Sequence, residues 1–174
     1  MKLGSLRPVD DRKIVDRVLK GDTEAFNLLV HQWEKPIYNF IFRLIGDREE
    51  AMDLCQESFM KAYRELRTLK DRDRFSAWLY RIAHNTCYSR LRKDIGRTFV
   101  ELDPDVGSHR SHVESRLAVE KALQHLPEEQ REVVVLKVFH DLKFEEIALI
   151  QSAPVSTVKS RLYMGFEKLR SILR

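Results

Sequence analysis

Apolar residues recur at spacings of three and four along most of the 174-residue chain, the signature of amphipathic helices rather than strands. Ile14, Val15, Val18 and Leu19 form one stripe within residues 10–20, and Gly21 follows where a helix stops. Asp22 suits the N-cap of a segment running through Phe26, Leu29 and Trp33. Pro36 is expected to kink or break that segment before Ile37, Phe40, Ile41 and Leu44 resume the pattern and Gly46 closes it. Asp47 caps residues 48–66, in which Ala51, Cys55, Phe59, Ala62 and Leu66 share one side. A charged stretch, 67–74, precedes a fourth helix over 75–93.

Periodicity fails from Asp94 to about Ser111, where Gly96, Pro104, Gly107 and Ser108 punctuate a polar run. Such a run predicts a flexible linker between two helical domains. The expected fold is therefore all-α: a first domain over 1–94, a linker over 95–112 and a second domain over 113–174. Four helices are expected in the second, at 113–125, 127–139, 144–151 and 156–173, the second of them opened by Pro127, Glu128 and Glu129.

The last two of these helices are separated by Ser152, Ala153 and Pro154, and the proline keeps them from merging. Val158, Leu162, Gly165, Leu169 and Leu173 fall in one narrow arc, leaving Ser156, Thr157, Lys159, Ser160 and Tyr163 to face away. This is a helix-turn-helix layout, in which the first helix braces while the second offers small hydroxyls and a base to a DNA major groove. Lys159, Arg161, Lys168, Arg170 and Arg174 stand against Glu167 alone in the final helix, a surplus as large as the whole chain's net charge of +4. An amphipathic terminal helix with a solvated basic face is the plainer alternative.

In the first domain, Asp53 and Glu57 lie opposite the apolar stripe of their helix with Met60, and Gln56 is beside them. Like charges four apart cost a few tenths of a kcal/mol, and the Glu57 to Lys61 pair returns about as much. The residues alone thus leave a solvated face and a docking face equally open. The helix over 75–93 interleaves Phe75, Trp78, Tyr80 and Tyr88 with Arg81, Arg90, Arg92 and Lys93, a pattern suited to stacking on unpaired bases and holding phosphates. Phe75, Trp78, Leu79, Ile82 and Leu91 are alternatively core, and for Trp78 and Ile82 that is the simpler reading. Asn85 is harder to place as packing, because its amide needs partners, and is a candidate for reading a base edge.

Signs of enzymatic chemistry are sparse. None of the six histidines forms HExxH, His109 and His112 lack ligand-spaced partners, and neither a P-loop nor GxGxxG is present. Core or surface placement is the simpler reading of His84 and Cys87, three apart on one helix. Two cysteines without a CxxC pair signal neither a disulfide framework nor a zinc site, and no apolar run approaches the roughly 18 residues of a membrane span. The expectation is a cytoplasmic protein with no catalytic residue, metal, cofactor or small-molecule substrate.

Three segments together resemble the extracytoplasmic-function (ECF) sigma factors: Ala51-Met52-Asp53-Leu54-Cys55-Gln56-Glu57-Ser58-Phe59, Phe75-Ser76-Ala77-Trp78-Leu79-Tyr80-Arg81-Ile82-Ala83-His84-Asn85, and Pro154-Val155-Ser156-Thr157-Val158-Lys159-Ser160-Arg161-Leu162. The resemblance implies that the first domain is sigma region 2, docking through Asp53, Gln56 and Glu57 on the clamp helices of core RNA polymerase. It implies that Lys70, Arg74, Trp78, Arg81, Asn85 and Arg90 hold the minus-10 element of promoter DNA. Region 4 would then contact the polymerase flap and read the minus-35 element through Ser156, Thr157, Lys159, Ser160, Arg161 and Tyr163. An anti-sigma factor, often at a membrane, is the further partner implied. Departures from the family pattern occur at Ser152 and Ser156, where glycine is usual, and at Lys143, where a serine or threonine cap is common; Ser152 is expected to accept a positive φ at some cost. A helix-turn-helix regulator acting without polymerase is the rival reading, and it leaves the Asp53 face and the aromatic-basic helix without a purpose.

Overall fold

The computed structural model describes residues 10–93 and 112–173, so the expected linker lies almost entirely outside the described residues. Eight α-helices account for most of the rest: α1 (Asp11–Leu19), α2 (Phe26–Ile45), α3 (Arg48–Glu65), α4 (Phe75–Lys93), α5 (His112–Gln124), α6 (Glu128–Val134), α7 (Phe144–Gln151) and α8 (Val155–Ile172).

Aspartates begin three of the first four helical segments, Asp22 and Asp47 as the sequence suggests and Asp10 in addition. Asp10 accepts from the Arg12 amide at 3.1 Å and Asp47 from that of Glu50 at 2.8 Å, each satisfying one of the orphan donors of a helix start. Asp22 caps a 3-10 turn, Thr23–Ala25, that leads into α2. Asp11 then ties α1 to α2, accepting from the Gln32 amide at 2.7 Å and the Trp33 indole at 3.0 Å.

Pro36 does not break α2, which runs unbroken through it. Leu29 before the proline and Ile37, Phe40, Ile41 and Leu44 after it are all buried. Burying each such side chain is worth about 1.5–3 kcal/mol, so packing on both flanks outweighs the roughly 3 kcal/mol cost of an interior proline.

The second half departs from expectation in two places. After Val134 the helix widens into a π-helical turn, Val135–Phe139, and Asp141 adopts φ +51° to redirect the chain into α7. Ser152 also sits at φ +51°, the left-handed conformation anticipated at this turn. Lys143 lacks a capping hydroxyl, and its amide instead donates to Glu146 Oε2 at 2.7 Å, so the brace helix is capped from within its own first turn. Gly165 is required where α8 crosses α6, because a Cβ there would lie 2.9 Å from Val134 Cγ2.

The buried core is continuous between the two halves. Helix α4 packs on α7, and α2 packs on α5 and α6.

Candidate functional site

Three surfaces carry the candidate residues. On α3, Met52, Asp53, Gln56, Glu57 and Met60 are all exposed while Ala51, Leu54, Cys55, Ser58 and Phe59 point inward. Glu57 pairs with Lys61 at 2.7 Å, and the Lys61 ammonium also donates to Thr86 Oγ1 on α4. Met52 and Met60 flank the acidic residues at 56% and 55% exposure. A face of carboxylates, an amide and flexible thioethers suits a protein partner that is basic and partly apolar. Sequence reasoning did not single out Met52, although its spacing from Gln56 and Met60 carried the signal.

On α4, Trp78, Arg81 and Asn85 follow one another at helical spacing on one side, and exposed Arg92 continues the row two turns on. Arg81 and Asn85 are exposed, whereas Trp78 is half-buried against Phe75, with ring centroids 5.9 Å apart. Arg74, just before the helix, is exposed and paired with Asp71 at 3.2 Å; Lys70 is exposed nearby. Arg90 lies about 140° round the helix from Asn85 and donates to Glu50 Oε1 of α3 at 3.0 Å. It is therefore set apart from the other five. Arg92, one of the cations that the sequence interleaves with the aromatics of this helix, stands in the row instead.

On α8, Ser156, Lys159, Ser160 and Tyr163 are exposed, Tyr163 at 71%. Thr157 and Arg161 are partly buried. Lys159 Nζ lies 5.4 Å from the centroid of the Phe144 ring, which fixes its stem against the brace helix. Arg161 is turned inward, donating to Gln151 Oε1 at 2.9 Å and pairing with Glu129 at 2.5 Å. It thereby ties α8 to α7 and α6.

Neither cysteine is placed for chemistry. Cys55 and Cys87 are buried, and burial raises both thiol pKa values, that of Cys55 to about 11. His84 bonds Glu132 rather than joining Cys87 in a metal site. Among the described residues no group of three or more potential metal ligands exists, and no helix is long and apolar enough to cross a membrane.

A basic recognition helix braced in a helix-turn-helix, attached to a helical domain with an aromatic-basic row, defines a two-module DNA-binding protein. The Sigma-70 region 2 family model matches residues 29–95, and the Sigma-70 region 4 model matches 116–169. The chain is 34% identical to the RNA polymerase sigma-H factor of Pseudomonas aeruginosa, over 94% of each protein. It is 32% identical to the ECF RNA polymerase sigma factor SigW of Bacillus subtilis, over 94% of this chain and 96% of that one. Among solved structures, CnrH in complex with the cytosolic domain of CnrY superposes with a TM-score of 0.74 at 25% identity, covering 94% of this chain and 97% of CnrH. The sigma factor RpoE of Bartonella quintana, in complex with the anti-sigma factor NepR, also gives 0.74 at 25% identity, over 85% and 96%. The chain belongs to the ECF sigma factors, the initiation factors that direct transcription to promoters.

Proposed function

We propose that this sigma factor binds core RNA polymerase through the Met52–Asp53–Gln56–Glu57–Met60 face of α3, and that residues 1–94 and 113–174 act as its region 2 and region 4. The observation that carries the docking assignment is the exposure of all five side chains on one face of an otherwise well-packed helix, a mixture of charge and thioether in which, among the described residues, only Glu57 has an internal polar partner, the partly exposed Lys61 one turn on. Opposite its buried face, α4 presents Arg81, Asn85 and, beyond them, Arg92 to the minus-10 strand, with Lys70 and Arg74 at its entrance. Cations along this row hold phosphates, while the Asn85 amide supplies both a donor and an acceptor for an unstacked base. Lys159, Ser156, Ser160 and Tyr163 meet the minus-35 duplex from α8.

In this role the protein performs no catalysis of its own, needs no cofactor, and works in the cytoplasm, where polymerase and promoters are. An anti-sigma factor is its natural antagonist: the similar sigma factor RpoE of Bartonella quintana is held in a complex with the anti-sigma factor NepR.

Reconstitution with core polymerase tests the assignment. Wild-type protein should co-purify with core enzyme and support transcription from promoters selected in vitro. Asp53→Arg with Glu57→Arg should abolish that association while leaving helicity unchanged. Asn85→Ala should preserve holoenzyme assembly but reduce permanganate reactivity of the melted strand. Unaltered core affinity in the double variant would remove the α3 face from the docking role.

A further inference from the structure

The two DNA-binding halves are locked together by polar bonds that neither DNA nor polymerase contact requires. Glu132 on α6 is 0% exposed. Its Oε1 lies 2.5 Å from His84 Nδ1 on α4, across the boundary between the halves, and its Oε2 accepts from Gln151 Nε2 of α7 at 2.7 Å. Gln151 in turn accepts from Arg161 of α8. An unbroken line of hydrogen bonds thus joins the helix bearing Asn85 to the helix bearing Lys159. Nearby, the Tyr80 hydroxyl bonds His140 Nδ1 at 2.8 Å, and Gln124 and Arg131 donate to the carbonyls of Arg43 and Leu44 in the last turn of α2.

This docked arrangement is incompatible with reading both promoter elements. Centres about 25 base pairs apart lie about 85 Å apart along straight duplex at 3.4 Å per pair, whereas a compact chain of this length is only about 40 Å across. We propose that His84 and Glu132 form a latch that holds the free sigma factor in a closed state, and that the latch must release before region 2 and region 4 can occupy the minus-10 and minus-35 elements together. The inference rests on the promoter-binding role proposed above.

His84 is the side of the latch to test. Its removal leaves the Glu132 carboxylate buried without a facing imidazole, a penalty borne only while the halves are docked, since separation returns Glu132 to water. His84→Gln, which keeps an N–H for the carboxylate, should preserve docking.

Spin labels on the exposed Lys13→Cys and Glu167→Cys positions of the full chain report the distance between the halves, and the buried native thiols react slowly under the same conditions. Wild-type protein should give one narrow, short distance distribution that moves to long distances when core polymerase is added. His84→Ala should raise the open-to-docked ratio about a hundredfold without polymerase and tighten core binding about tenfold, whereas His84→Gln should behave as wild type. A broad or long distribution in the free wild-type chain would overturn the closed state. A narrow, short one in folded His84→Ala would overturn the latch. Should His84→Ala lose its helical circular dichroism, the wild-type distance change on core binding decides: no change overturns the proposal. A chain that is docked and opens in His84→Ala yet never binds core enzyme would instead refute the polymerase reading, because the label distances in the free chain do not depend on it.

Discussion

Arg131 donates through Nη1 to the carbonyl oxygen of Leu44 at 2.5 Å, so a side chain of the second half caps the C-terminal turn of a helix in the first. The same guanidinium holds Gln124 Oε1 and the carbonyls of Gln124 and Leu126. With 3% exposure, it satisfies acceptors that water cannot reach. Gly46, at φ +83°, closes α2 beside it, and a Cβ there would meet the Gln124 side chain at 3.2 Å.

Arg131→Ala should therefore cost about 3 kcal/mol of stability by orphaning several buried carbonyls. Arg131→Lys should recover little of it, because an ammonium cannot span the same fork of acceptors. Denaturant titration of the two variants against wild type measures both values.

Lys159 and Arg161 should separate into different roles. Lys159→Ala should weaken binding to the minus-35 element by about 1–3 kcal/mol if it reads a base, and the loss should vanish on a scrambled element. Arg161→Ala should lower the melting temperature and weaken all sequences alike, since its guanidinium is engaged by Gln151 and Glu129. Holoenzyme binding to matched and scrambled fork templates, with a parallel thermal melt, distinguishes the pair.

His140 makes stability depend on acidity. Burial, aided by the Arg43 charge, holds its pKa down from 6.5 to about 4. Phe40 and Tyr80 face the ring, and the Tyr80 hydroxyl, kept protonated by burial, is hydrogen-bonded to Nδ1 at 2.8 Å. Between those two pH values the unfolded chain binds the proton and the folded chain does not, so stability rises with pH through the window and is lost as pH falls. Because the ring is only partly buried, about 1–2 kcal/mol is expected. Subtracting the stability-pH curve of His140→Gln from that of wild type isolates it; coincident slopes from pH 6.5 to 4 would contradict the assignment.

Gly165→Ala should destabilise by about 1 kcal/mol despite the better helix propensity of alanine, because the added methyl meets a β-branched side chain in a packed core. Gly165→Leu should cost about 3 kcal/mol. A gain in melting temperature for the alanine variant would show that α6 and α8 can separate freely.

Helix positions, caps and the outward row of α8 were legible in the sequence because they depend on local spacing. Asp22, Asp47, Ser152 and the inward arc of Val158, Leu162 and Gly165 all needed only neighbours within a few residues. Pro36 misled, since its local cost is real but is overruled by distant partners packed on both sides of it. Arg90 and Arg161 share the charge and spacing of DNA-contacting residues, and nothing local shows that Glu50 or Glu129 takes them up. The polar bonds of His84, Arg131 and His140 were invisible for the same reason: each joins groups 48 to 87 residues apart.

The sequence by itself determined an all-helical chain, its helix-turn-helix and its family, because periodicity, capping and short motifs are written within single helices. Tertiary structure alone decided which charges face solvent and that the two halves close on one another. Those outcomes depend on which buried donor meets which buried acceptor, and the desolvation that makes such meetings matter exists only once the chain is packed.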